Sequence, residues 1–309
     1  MLVNSVFESF KRWRVPKISY HPYSAEINDQ SQHSSPDEIN LDLFTQIVEN
    51  NKELWAEDFD ARALPSGISA KRIEVNDPRL VALREHFQTH FPDPGDEVGS
   101  IGNSEVKFSD TSIYRHLIEL TNEYFGPTLD RIYKAGHWKL RTCLHHFSNE
   151  FTCPQTFTYG DSCVAASDLR FVHVDTTPPN QFKAMLYLSD NVSIDNGAFQ
   201  YVPYSYHHAF DRDEWAIRKA VREYFVNTDV KALSTFLQLP REYQKRNTFL
   251  YLQDFESNSK YINRIKNGLK LYESPQNFIL FNPFGYHTGG FVRSGERRAL
   301  QLVFCPGDA

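Results

Sequence analysis

His173-Val174-Asp175 sets an imidazole and a carboxylate two residues apart, just ahead of the apolar run Phe182 to Leu188 (FKAMLYL). In extended chain, residues i and i+2 share a face, so the two groups can converge on one ion. Alone such a pair is weak evidence, because a chain with 12 histidines forms an H-x-D readily by chance. It gains weight from HTGGFVRSGERRALQLVF, which runs from His287 to Phe304. His287 ends a predicted strand, Gly289 and Gly290 permit close backbone approach, and Arg293-Ser294-Gly295-Glu296 reads as a turn. The chain then returns through Arg297 into an apolar strand, and a hairpin of this shape brings Arg297 back towards His287. Two imidazoles and one carboxylate on one face of an octahedral ion leave three positions open, as in non-heme Fe(II) sites. A 2-oxo acid can chelate two of these and O2 can take the third. The distal carboxylate of 2-oxoglutarate then needs a fixed cation, and the planar fork of arginine suits it.

Other residues are weighed against this set. Lys183, Met185 and Tyr187 share one face of the strand after H-x-D. That face either looks into the site, where Lys183 and Tyr187 contact 2-oxoglutarate or substrate, or packs as core. Thr288, next to His287, can donate a hydrogen bond to the 2-oxoglutarate carboxylate. His86 and His90 have helical i,i+4 spacing, but Phe87 stands where a zinc protease has Glu, so they read as a solvated helix face. His145 and His146 are adjacent in a predicted strand, so at most one faces a site. His207 and His208 follow the next strand and flank its mouth. Gly95 and Gly99 lack the strand-to-helix setting of a phosphate loop.

The elements that must position these residues change character along the chain. Ser35-Pro36-Asp37 closes a polar stretch and reads as a helix start, after which Leu41, Phe44, Ile47, Val48 and Leu54 recur at helical spacing. Asp77-Pro78 predicts a second helix with Leu80, Leu83, Phe87 and Phe91 on one face. Asp110-Thr111 opens a third that buries Ile113, Leu117, Leu120 and Tyr124. Strand character follows at Trp138 to Thr142, Phe182 to Leu188, Ala198 to Val202, Phe278 to Phe281 and Ala299 to Phe304. Asp195-Asn196-Gly197 is a turn signal that predicts a hairpin between the second and third of these. A helix is expected over 212–225, with Trp215, Val221 and Phe225 inward. Helices first and strands later imply helices packed on a β-sandwich or barrel within one domain, 1–309.

Composition narrows the function classes. The net charge of −6 argues against a nucleic-acid or acidic-membrane partner. Cys143, Cys153, Cys163 and Cys305 form no C-x-x-C pair, so they read as buried thiols and neither a zinc site nor a disulfide scaffold is expected. No segment reads as a signal peptide or a membrane span, and the expected location is cytoplasmic. Aromatic residues make up 14% of the chain, so large rings should dominate the core.

Taken together, His173-x-Asp175, His287 and an Arg ten residues beyond it resemble the Fe(II)/2-oxoglutarate dioxygenase superfamily, especially its phytanoyl-CoA dioxygenase-like branch. The resemblance spans roughly Phe171 to Phe304 and includes LYLSD, an Asn-Gly turn and FQYVPYS in order. It implies a mainly β fold with flanking helices, a double-stranded β-helix (cupin-type jelly roll) over 136–309. A helical region, 1–135, packs on it, and an insertion at 227–270 is the expected lid. It also implies Fe(II) held by His173, Asp175 and His287, with 2-oxoglutarate and O2 as co-substrates and a small molecule as substrate. Arg297 and Arg298 both fit the spacing of the 2-oxoglutarate arginine, and Arg297 is favoured because an R-R-A-L sequence in the branch uses its first Arg. The branch often has P-G-S-H where this chain has Pro203-Tyr204-Ser205-Tyr206. Asp175 stands where related halogenases have a small residue, which favours hydroxylation. Two rival readings use the same fold: a redox-neutral, isomerase-like cupin metalloenzyme, and a binding protein without turnover.

Overall fold

The computed structural model describes residues 40–55, 58–91, 102–106, 111–133, 137–149, 175, 180–206, 212–213, 215–217, 219–220, 240, 268–289, 292 and 294–307. Residues 39–309 form one compact unit, and 1–38 form another that lies outside the described residues.

Among the described residues, the first part of the chain holds three α-helices. In α1 (Leu41–Lys52) the Asn40 side chain caps the first turn by accepting from Leu43 N–H, and Phe44 and Val48 are buried. Leu41 and Leu54, expected on the apolar stripe, are instead exposed, because that stripe ends where the helix does. α2 (Pro78–His90) begins as its sequence predicts: Asp77 accepts from Arg79 N–H, Pro78 fills the first turn, and Leu80, Leu83 and Phe87 are buried. α3 (Thr111–Ile132) buries Ile113, Leu117 and Leu120, while Phe125 takes the fully buried position beside half-buried Tyr124. His86 and His90 stack at 4.2 Å on the outer side of α2, with His90 Nδ1–H bonded to His86 O.

Among the described residues, nine strands build two antiparallel sheets. They are β1 (Ile68–Lys71), β2 (Gly102–Glu105), β3 (Trp138–Asn149), β4 (Phe182–Tyr187), β5 (Phe199–Tyr201), β6 (Lys270–Tyr272), β7 (Phe278–Phe281), β8 (His287–Thr288) and β9 (Glu296–Pro306). The large sheet runs β1-β7-β4-β9-β3-β2 and the small one β6-β5-β8. β1 and β2 arise inside the otherwise helical first part of the chain and extend the two edges of the large sheet.

The chain swaps sheets repeatedly: β4 is in the large sheet, β5 and β6 in the small, β7 in the large, β8 in the small and β9 in the large. Such alternation rolls two sheets into a jelly roll, the double-stranded β-helix. It also corrects two expected hairpins. The Asn196-Gly197 turn forms, with Gly197 at φ +79°, but it carries the chain from β4 to β5 across the sandwich, and the two do not pair. The turn before Arg297, with Gly295 at φ +71°, likewise crosses from β8 to β9. Each apolar face finds more area against the opposite sheet than a flat hairpin offers.

Strand alternation separates two cores. Phe182, Ala184 and Leu186 of β4, with Leu300, Leu302 and Phe304 of β9, point to the helices and pack with Leu83, Phe87, Leu117 and Phe125. Tyr187, Ile279, Phe281 and Ala299 point the other way and meet Phe199 and Tyr201 of the small sheet. Phe199 and Phe281 lie 4.6 Å apart, ring to ring, across the interior. Trp215 is helical and buried as expected, and Ala216, Ile217 and Ala220 are helical and buried beside it, whereas Val221, Phe225 and nearly all of 227–270 lie outside the described residues. Cys143 and Cys305 are buried free thiols; Cys153 and Cys163 are outside the described residues. Among the described residues no helix is long and apolar enough to cross a membrane.

Candidate metal centre

One short turn positions two of the three expected ligands. Asn282-Pro283-Phe284-Gly285 joins β7 to β8 and therefore spans the two sheets. Asn282 Oδ1 accepts from Phe284 N–H, Gly285 N–H donates to Asn282 O, and Asn282 N–H donates to Gly67 O. Tyr201, fully buried, donates its hydroxyl proton to Asn282 O at 3.1 Å. Gly285 is required here, since a Cβ on it would run into the Tyr201 hydroxyl and ring.

Asp175 and His287 both hang from this turn. Asp175 N–H donates to Pro283 O at 2.9 Å, and His287 Nδ1 lies 2.8 Å from Gly285 O. A carbonyl oxygen only accepts, so Nδ1 carries a proton, and in the neutral ring Nε2 holds the lone pair. That Nε2 stands 3.6 Å from Asp175 Oδ2, with both side chains largely shielded. A neutral imidazole and a carboxylate at this distance can turn a lone pair each towards one cation. Adjacent donors each about 2.1 Å from one octahedral ion lie about 3 Å apart, so the pair needs little movement to share a metal. His173, the third expected ligand, lies outside the described residues, and among those described no larger His/Cys/Asp/Glu cluster is present.

Lys183 already supplies one positive charge. Its Nζ is 2.7 Å from the same Asp175 Oδ2, and its side chain is 12% exposed. It extends from the inner face of β4, opposite Phe281 of β7 and Val303 of β9.

Arg297 and Arg298 separate by strand parity. Arg297 pairs with Ser148 and is 4% exposed; its guanidinium donates to Gly197 O and, at 3.5 Å, to Ser148 Oγ. It shares the inner face of β9 with Ala299, which packs against Tyr187 and Phe199 in the interior. Arg298 points outward, lies 4.5 Å over the Phe147 ring and donates to Phe91 O. The register thus puts the two guanidinium groups, both of which fit the expected spacing, on opposite faces of β9.

The remaining sequence-derived residues fall differently. Tyr187 is on the inner face, but its hydroxyl accepts from Phe199 N–H at 2.7 Å and gives its proton to Tyr272 O, which joins the two sheets. Burial pushes that hydroxyl up to about 12. Thr288 lies opposite Gln200, on the face of the small sheet away from His287 and Tyr201, and its hydroxyl donates to Gly289 O. The structure therefore does not bring the Thr288 hydroxyl to the face that holds His287. His207 and His208 are outside the described residues.

His146 is the residue that sequence reasoning left unassigned. In register it sits opposite Ala299, and so on the inner face, while His145 faces the helices between Phe87 and Phe91. Burial, then the charges of Arg297 and Lys183, lower His146 to about 3, so it is a neutral polar group inside the barrel. An alternation argument can say that one of the two faces inward; only the register with β9 says which.

No family model and no curated protein matches the chain. Solved structures that resemble it include the epimerase SnoN in complex with Fe3+, alpha ketoglutarate and nogalamycin RO (13% identity, 85% of this chain and 84% of that one, TM-score 0.44). They also include HygX from Streptomyces hygroscopicus with nickel and 2-oxoglutarate bound (17% identity, 78% and 83%, TM-score 0.43). A third is EctD from S. alaskensis with 2-oxoglutarate and 5-hydroxyectoine (11% identity, 82% and 78%, TM-score 0.45). The jelly roll of this chain follows from its own strand order.

Proposed function

We propose that this chain is a non-heme Fe(II)- and 2-oxoglutarate-dependent oxygenase of the phytanoyl-CoA dioxygenase-like kind, hydroxylating a small molecule. The observation that carries the reading is the meeting of Asp175 Oδ2 and His287 Nε2 at 3.6 Å inside a jelly roll, with Arg297 buried on the inner wall. His173, two residues before Asp175, completes the ligand set on sequence grounds. Bound iron supplies the oxidising chemistry, in which 2-oxoglutarate and O2 yield succinate, CO2 and a hydroxylated product.

The chain's own residues do the rest. The Asn282–Gly285 turn fixes Asp175 and His287 before any ion arrives, so little ordering accompanies binding. Gly285 O holds His287 in the tautomer whose Nε2 can ligate. Arg297 presents a charged fork for the distal carboxylate of 2-oxoglutarate, and its bonds to Gly197 O and Ser148 Oγ hold it in place. Phe199, Tyr201 and Phe281 wall the site and keep bulk water from it.

Equilibrium dialysis of 2-oxoglutarate against the protein loaded with Mn(II) tests this directly. Retention that requires the metal and disappears in Asp175→Ala supports the reading. Retention that ignores the metal, or no retention by the folded, metal-loaded protein, overturns it.

A further inference from the structure

Lys183 occupies an unusual place for an ammonium. It contacts the carboxylate oxygen of Asp175 that faces His287, at 2.7 Å, within a largely shielded site. A shielded charge must be paired, and its strand neighbours Phe281 and Val303 carry no charge. Among the described residues, Asp175 is the carboxylate with which Lys183 pairs. The Asp175 oxygen nearest His287 Nε2, and so best placed to share a metal ion with it, is the one already engaged by the lysine, and two cations at one oxygen repel.

We propose that Lys183 is a built-in counter-ion that neutralises Asp175 in the metal-free protein and competes with the metal for it, so that it weakens and gates metal loading. This rests on the metal-site reading above and adds a positioning residue to it. The backbone of Asp175 does not depend on Lys183 for its place, because its own N–H is tied to Pro283 O. Removing the ammonium therefore leaves the main chain that carries the carboxylate in place and takes away the competing charge.

The test is Mn(II) binding by the full chain without 2-oxoglutarate, followed by loss of the free-ion electron paramagnetic resonance signal. Lys183→Met should bind Mn(II) more tightly than wild type by about ten-fold or more. Lys183→Gln, which keeps a polar contact without the charge, should shift the same way, and Lys183→Arg should stay near wild type. A merely structural lysine predicts the opposite sign, since a damaged site binds metal less well. Equal or weaker binding by folded Lys183→Met or Lys183→Gln overturns the proposal. If the wild-type chain and all three variants bind no Mn(II), the metal-site reading itself falls, and the proposal with it.

Discussion

Arg297 and Arg298 are consecutive residues that face opposite sides of β9: the first looks between the sheets, the second lies over Phe147 and bonds to Phe91 O near the end of α2. One residue of register separates a guanidinium in the interior from one that fastens a helix to the sheet.

The two arginines should therefore fail differently. Arg297→Ala removes the charged fork and should weaken 2-oxoglutarate binding by about ten- to a hundred-fold, the range for a lost charge-assisted hydrogen bond. Arg298→Ala should leave that affinity unchanged and lower stability by about 1 kcal/mol, through the lost ring contact. Dialysis of 2-oxoglutarate and urea denaturation of both variants check the pair. A loss of affinity in Arg298→Ala instead would reverse the assignment.

Gly285→Ala should cost about 1–3 kcal/mol of stability, as overpacking beside a fully buried, hydrogen-bonded Tyr201 does. The added methyl group displaces the tyrosine or the turn, so metal affinity should fall as well. Tyr201→Phe in the same chain removes the hydroxyl that the methyl group meets, and should recover part of both losses. Urea midpoints and Mn(II) titration report the two effects. No recovery in the double variant would separate the turn from the metal site.

The pH dependence of stability follows from His145. Burial, then the charge of Arg298, lower its pKa to about 4, and Nε2 has no hydrogen-bond partner among the described residues. The unfolded chain, with an ordinary histidine pKa of 6.5, binds more protons than the folded one between pH 6.5 and 4. Stability should fall as pH falls through that window and be insensitive to this group above it. His145→Leu should be near neutral at pH 7.5, because no bond is lost, and should flatten part of the decline. Urea midpoints at pH 7.5 and pH 5 measure it; an unchanged difference between the two pH values would contradict the account.

Much of this was legible in the sequence for local reasons. Asp77-Pro78 caps α2 because capping needs only neighbours. The apolar runs became strands because each buries at least one face. His287 and Asp175 were found by type and spacing, and they meet. What escaped depended on distant pairing. β1 and β2 exist only as edges offered by β7 and β3. The turns after Asn196 and Ser294 looked like hairpins because turn chemistry fixes a reversal of the chain but not the sheet it enters. The Asn282–Gly285 turn carried no motif, yet Asp175 and His287, the described candidate ligands, are both tied to its carbonyls. Lys183 was placed on the correct face, but its pairing with Asp175 is a tertiary fact.

A metal held by Asp175 and His287 should be chelated by 2-oxoglutarate. An anaerobic titration of the apo-protein with Fe(II) and then 2-oxoglutarate, followed in the visible range, measures this. A weak charge-transfer band should appear, be absent in Asp175→Ala and His173→Ala, and need more 2-oxoglutarate in Arg297→Ala. Stoichiometric Fe(II) binding with no band at saturating 2-oxoglutarate would contradict it, and would point to redox-neutral metal chemistry on the same fold.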